Sequence, residues 1–259
     1  MNLNKFAHRT QFLVSFGYLG HNFYGVQEQP KLNTVLGALR KRIETSSSQR
    51  AKALMISART DRFVSCLQNY ATFWLKNPID LQALILNVEA GQNDGLFGVS
   101  IKVVGPHVNA RGCSASKYYR YSIIDDCDAE ILTDHELAWR IAPKLSLQSM
   151  QDAAQIIEGK QDFSSFRAAG CTAFTPIKNI FYIKIAQSKA GYIFIDIEAD
   201  AFLRKMIRNI VGLLVEVGSG LRKTQDIKDI LLQKNRQAAG ITAPALGLML
   251  MKVNLNILY

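Results

Sequence analysis

Ala53-Leu54-Met55-Ile56-Ser57-Ala58-Arg59-Thr60-Asp61 is the stretch from which the rest of the chain can be read. The apolar run at 53–56 predicts a strand, and the polar residues after it predict a loop at the strand's mouth. That loop presents one permanent cation, one hydroxyl and one acid. Loops at strand ends are common seats of chemistry. An Asp two residues after an Arg is also a common cap or turn residue. The residues on either side must decide between these readings.

Upstream, residues 10–16 predict a strand, followed by an aromatic loop over 17–30 with Tyr18, Phe23 and Tyr24. Asn33 is placed to cap a helix over 34–43, with Val35, Leu36 and Leu39 on one face. Downstream, residues 68–75 predict a strand, and Pro78 and Asp80 start a helix to 88. A turn at 91–95 leads to a strand over 97–104, closed by Gly105-Pro106.

The second half opens with a strand over 116–124 and an acidic turn at 125–130. Helices are expected over 135–142 and 147–158, then a long connection over 159–176. Residues 178–188 and 193–198 predict a hairpin about Gly191. The strongest helix pattern covers 202–217, with a stripe of Leu203, Met206, Ile207, Ile210, Val211 and Leu214. Arg204 and Arg208 lie one turn apart on it, with Lys205 between them. Thr224 is placed to cap a helix to 233, and 248–255 closes as a strand. This mixture without long β-α repeats reads as α+β. The division is expected near 105–113, giving an Asp-loop half over 1–108 and a half over 109–259 with the Tyr strand and the Arg helix.

Composition narrows the function classes. Of the 259 residues 48% are hydrophobic and 20% charged, as in an ordinary globular protein. No apolar run approaches the ~20 residues of a membrane helix, so no membrane role is expected. Residues 1–9 lack the apolar segment of a secretory signal, and the expected location is cytoplasmic. Cys66, Cys113, Cys127 and Cys171 are scattered, with no Cys-x-x-Cys pair and no His at a zinc spacing, so no metal is expected. Lys plus Arg is 31 against 21 for Asp plus Glu, giving +10 and a pI near 9.5. A basic excess spread along a folded chain points to a polyanionic partner such as nucleic acid.

Two further clusters join Arg59-Thr60-Asp61. In Lys117-Tyr118-Tyr119-Arg120-Tyr121, a period of two puts Lys117, Tyr119 and Tyr121 on one strand face. That face serves equally as a base-stacking platform or as a packed aromatic face. In the second cluster, Arg208 stands beside Ile207 and Ile210 near the apolar stripe, where a cation wants a carboxylate. Nucleotide-binding glycine loops and a Gly-x-Ser-x-Gly elbow are lacking, so no cofactor is indicated.

Taken in order along the chain, these segments resemble the TruA family of tRNA pseudouridine synthases. Phe23-Tyr24-Gly25-Val26-Gln27 resembles its Tyr-Gly-Trp-Gln segment, and Arg59-Thr60-Asp61 its Gly-Arg-Thr-Asp motif. Asn109-Ala110-Arg111 is similar to the segment before its second main strand, and Lys117 to Tyr121 to the strand whose tyrosine stacks on the target base. Asp162-Phe163-Ser164-Ser165-Phe166-Arg167 resembles its Asp-Phe-x-Ser-Phe element. Phe202-Leu203-Arg204-Lys205-Met206-Ile207-Arg208-Asn209 resembles its Arg-Asn helix, and Ala243-Pro244-Ala245-Leu246-Gly247-Leu248 its C-terminal element.

The resemblance implies two α+β halves about a central, mainly antiparallel sheet with a basic cleft. It implies a homodimer that converts uridine to pseudouridine in the anticodon stem-loop of tRNA without cofactor or metal. Asp61 would be the nucleophile, Tyr119 the stacking ring and Arg208 the cation beside the acid. Arg59 would hold the flipped nucleotide, and Lys117, Arg120, Arg167, Arg204 and Lys205 would line the RNA side. The alternative is a relative that binds tRNA as a chaperone without turnover. The sequence departs from the family just after the acid. Arg62-Phe63-Val64-Ser65-Cys66 stands where the family reads Ala-Gly-Val-His-Ala, and Ala58 replaces a glycine.

Overall fold

The computed structural model describes residues 8–91, 94–125, 137–142 and 144–257. Contacts divide the chain into two units, one running to Ala115 and rejoined by the stretch from Leu250, the other Ser116–Met249. The division therefore falls after the expected 108. Gln11 donates to the Val108 carbonyl, Ser57 to that of Ala110, and the Asn256 N–H to that of Cys113, which keeps 108–113 with the first unit.

The first unit contains β1 (Arg9–Tyr18), α1 (Val35–Ser47), β2 (Lys52–Ile56), β3 (Ser65–Lys76), α2 (Leu81–Ala90) and β4 (Leu96–Val104). β1 lies between β3 and β4, antiparallel to both, and β2 pairs antiparallel with β3. Strand β1 is covered on both faces, which is why Phe12, Leu13 and Val14 are all buried in succession. Phe12 stacks on Phe73 of the neighbouring strand, with ring centroids 5.3 Å apart. Helix α1 is capped by Thr34, whose hydroxyl accepts the Gly37 N–H, and not by Asn33. The Asn33 amide donates instead to the Asn22 carbonyl, tying the aromatic loop together. Asp80 caps α2 through the Ala83 N–H.

The second unit contains β5 (Ser114–Ile124, all but its first two residues), β6 (Trp139–Arg140), α3 (Leu147–Ile157), β7 (Gly159–Asp162), β8 (Ile177–Gln187), β9 (Tyr192–Ala199), α4 (Met206–Gly218) and α5 (Asp226–Gln233). The last strand, β10 (Leu248–Leu255), passes into the first unit from Leu250. Strands β5, β9, β8 and β7 run antiparallel in that order, while β6 adds a short parallel pairing to β5. Tyr119, Tyr121 and Ile123 face the core opposite Ile197, Ile195 and Ile193. The fold is α+β with mostly antiparallel strands.

Several expectations change. The helix expected over 135–142 falls partly outside the described residues, and within them Trp139 and Arg140 form a strand. The acidic turn at 125–130 lies outside them beyond Asp125. The connection at 159–176 contains β7 and a 3-10 turn over Ser164–Phe166. Helix α4 starts at Met206, because Lys205 is left-handed at φ 59 and cannot continue a helix backward. Arg204 and Lys205 therefore precede the helix. Gln225, not Thr224, is the cap of α5, and Thr224 contributes only its carbonyl, to the Ile227 N–H.

Candidate active site

The Asp61 loop is held by groups at its base. Ala58 is fixed from both directions by Asn69, which accepts the Ala58 N–H at 3.3 Å and donates to the Ala58 carbonyl at 2.8 Å. Asn69 is wholly buried, so both bonds are made away from water, where an unmet polar group is costly. Tyr18, at the end of β1, bonds the Thr60 hydroxyl at 2.8 Å. The Val64 N–H donates to the Asp61 carbonyl, closing a turn over 61–64. Asp61 is half-buried at this turn, with Arg59 and Arg62 exposed beside it.

The departing residues Arg62 and Phe63 lie on this turn, and Ser65 follows it. Phe63 has φ 70, a left-handed conformation that suits glycine and is uncommon for a bulky residue. Such a residue carries about 1–2 kcal/mol of steric cost. The Ser65 hydroxyl is buried and accepts the Gly20 N–H at 2.9 Å. An added carbon on Gly20 would meet the Phe63 carbonyl carbon at 2.5 Å, so the backbones touch there. Gly25, at φ 91, stands over the same turn, 3.6 Å from the Arg62 nitrogen and 3.9 Å from the Thr60 oxygen as measured from an added carbon. The early Tyr24-Gly25 segment and the Asp motif are thus neighbours in the first unit.

In the second unit, Tyr119 is 5% exposed and meets Phe202 edge to face at 5.3 Å. Arg208 is positioned by Ala243: its Nε donates to the Ala243 carbonyl at 2.7 Å, and the Ala243 N–H donates to the Arg208 carbonyl at 3.0 Å. The next residue's carbonyl, Pro244, accepts from the Tyr121 hydroxyl at 2.8 Å. Burial pushes the Tyr121 phenol well above its usual range, and the positive charge of Arg208 pulls it part of the way back. Asn209 is wholly buried, donates to the Phe166 carbonyl at 2.8 Å, and accepts from Arg236 at 2.9 Å and Thr242 at 2.7 Å. That side chain ties two of the recognised segments, 162–167 and 202–209, to Arg236 and Thr242 in one network.

The cations expected on the RNA side are placed differently from one another. Arg120 points from the opposite face of β5 to Tyr119 and clasps Asp196 with two bonds of 2.8 Å. This carboxylate raises its basicity and compensates its charge. Arg167 donates to the carbonyls of Cys171 and Ala173, and Arg204 to that of Ala169, so both shape the loop over 168–173. Lys117 and Lys205 are half-buried, and Arg204 is exposed. Cys171 sits among these groups. Burial pushes its thiol up, but the Arg204 and Ala173 N–H groups and the Arg167 guanidinium outweigh it and hold it below the usual thiol range.

Asn69 escaped the sequence reading, and Ser65 entered it only as a departure from the family pattern, without its bond to Gly20. An Asn amid the apolar residues of β3 is the one signal that could have singled out Asn69, because a buried amide needs partners.

The family described as tRNA pseudouridine synthase matches residues 153–256. A protein of Thermosipho africanus named tRNA pseudouridine synthase A is 34% identical over 94% of this chain and 98% of its own length. One of Thermoanaerobacter sp. with the same name is 34% identical over 93% of this chain and 98% of its own. Another, of Neisseria gonorrhoeae, is 32% identical over 96% and 93%.

Proposed function

The chain belongs to the tRNA pseudouridine synthase family, and from that premise we propose that the uridine it isomerises lies in the anticodon stem-loop of tRNA. Conversion of a tRNA uridine to pseudouridine is its activity. The observation that carries this reading is relatedness along nearly the whole chain, which takes in both the Asp61 loop and the Arg208 helix.

The reaction breaks the bond between uracil N1 and ribose C1′ and joins C1′ to C5. The proton lost from C5 is matched by one gained at N1, so the isomerisation balances without a co-substrate. A carboxylate serves as nucleophile at the sugar or as the base that removes a ribose proton, and we assign that role to Asp61. Tyr119 offers the ring for the unstacked uracil, a contact worth ~1–3 kcal/mol. That contact offsets the few kcal/mol needed to take a base out of its stack. Arg208 is assigned as the cation that serves the carboxylate, and Arg59 as a contact to the displaced nucleotide. Lys117, Arg167, Arg204 and Lys205 are assigned to the phosphate backbone. Arg120 takes a smaller part there because Asp196 already compensates it. The working unit is a homodimer acting on cytoplasmic tRNA.

The test is to incubate the protein with unmodified tRNA and map pseudouridine. Product within the anticodon stem-loop supports the reading. Product only elsewhere overturns the site, and binding without product at any position favours the chaperone alternative.

A further inference from the structure

The residues that separate this chain from its family pattern form a structure of their own. The Arg62 guanidinium lies over the Tyr24 ring at 4.3 Å and over the Phe63 ring at 4.4 Å. Phe63 delivers its ring from the left-handed backbone that glycine would adopt without strain. Tyr24 is fixed by its own backbone, its N–H donating to the Asn33 carbonyl at 2.8 Å and its carbonyl accepting from Gln29 at 3.0 Å. Four other arginines are matched to acids, Arg40 to Glu28, Arg42 to Asp94, Arg120 to Asp196 and Arg222 to Glu216, and Arg167, Arg204 and Arg208 donate to backbone carbonyls. Arg62 is exposed, and among the described residues it has these two rings and no carboxylate.

A guanidinium seated on aromatic rings keeps the N–H groups at its edge for an anion, and its planar fork matches a phosphate. Holding it on rings also removes part of the side-chain freedom that a free arginine would lose on binding. We propose that Arg62, held by Tyr24 and Phe63, is a phosphodiester-binding residue that this chain has added to the rim of the Asp61 loop, and that it sets how the RNA strand beside the target uridine is gripped. The inference rests on the RNA-modifying reading above. Arg62 is the contact, while Tyr24 and Phe63 are positioning residues that act through it.

The test compares the full-length protein with its Arg62→Ala, Arg62→Lys and Phe63→Gly variants, using one unmodified tRNA transcript across a series of salt concentrations. Pseudouridine formation and filter binding are measured together with thermal unfolding. Arg62→Ala should raise KM roughly tenfold, as for loss of one charge-assisted contact. It should also make the plot of log affinity against log salt shallower by about 0.7–0.9, the share of one phosphate. Arg62→Lys should keep the slope and raise KM about threefold, since the charge remains and the fork is lost. Phe63→Gly, which fits the backbone and so keeps the fold, should raise KM by a similar factor. A wild-type salt slope and KM in Arg62→Ala would overturn the proposal, and a lowered melting temperature alongside them would leave the stack as a loop brace only. If the wild type formed no pseudouridine in any tRNA, the functional reading would fail, whereas the filter-binding slopes would still decide whether Arg62 meets phosphate.

Discussion

Around Arg208 the polar groups close on one another. Ala243 gives it a carbonyl and takes one from it, and Asn209 is saturated by Phe166, Arg236 and Thr242. Around Asp61 the base of the loop is equally fixed, by Asn69 and Tyr18, but the rim is open, with Arg59 and Arg62 turned outward. The first arrangement is bound through its side chains as well as its backbone; the second is bound at its base and leaves Arg59 and Arg62 exposed. A turn can therefore hold its shape through hydrogen bonds at its base while its outward chemistry changes, provided that the left-handed position is tolerated. A buried network has no such latitude, because each partner removed leaves another unmet.

The comparison breaks first at Asn209. Asn209→Ala would leave the Phe166 carbonyl without its donor and take from Arg236 and Thr242 their shared acceptor, and a loss of roughly 3 kcal/mol is expected in urea unfolding. A loss under ~1 kcal/mol would show the network to be loose. Gly212→Ala sharpens the same side. Its new carbon would lie 2.1 Å from the Ile241 carbonyl oxygen, two residues before Ala243. We expect about 2 kcal/mol of destabilisation, with a fall in kcat, because the strand of chain that orients Arg208 must shift.

On the open side, two changes in one loop should differ. Gly25→Ala forces a side chain onto φ 91 and should cost about 1–2 kcal/mol. Phe63→Gly removes strain at φ 70 but adds unfolded-state freedom of ~0.5–1 kcal/mol and loses a ring contact. Its net change in stability is therefore expected to stay within about 1 kcal/mol. Equal losses in thermal unfolding would mean that Phe63 has become a structural anchor.

How much of this was legible depended on where the signal lay. β10 was read at its observed bounds because Leu248 to Leu255 is apolar and bounded by a Pro-Gly segment. The Asp80 cap was legible because an Asp after a Pro at the head of an apolar run has one common use. The start of α4 was not, since the left-handed turn at Lys205 leaves no mark in residue type. β7 was missed because Gly-Lys-Gln-Asp has no strand character, and its partner β8 is what makes it a strand. The motif residues of the site were legible as types. Their supports were not: Ala243 and Pro244 act through backbone carbonyls that every residue possesses, and the Asn69 side-chain amide finds its partner only when the chain folds back on Ala58.

The smallest expected effect concerns acid stability. Burial pushes the Asp162 carboxyl up, but Ser164 and Lys234 outweigh it and hold it below the usual carboxylate range. A depressed folded value means that its stabilising contribution is complete above the unfolded value of about 3.9 and fades as pH falls through the folded one. Asp162→Asn should accordingly flatten the fall in melting temperature below about pH 4 and leave the slope unchanged near neutrality. An unchanged acid limb would place the Asp162-Ser164 contact outside the stability of the second unit.

The most direct test of the central assignment is Asp61→Asn, assayed under single turnover with saturating enzyme and an unmodified tRNA, with tRNA binding measured in parallel. The Asp61 nucleophile predicts loss of pseudouridine by about 10⁴-fold or more, as when a reacting group is removed, with affinity for tRNA kept within a few-fold. Product formed at a rate within tenfold of the wild type, or binding that collapses along with activity, would contradict it.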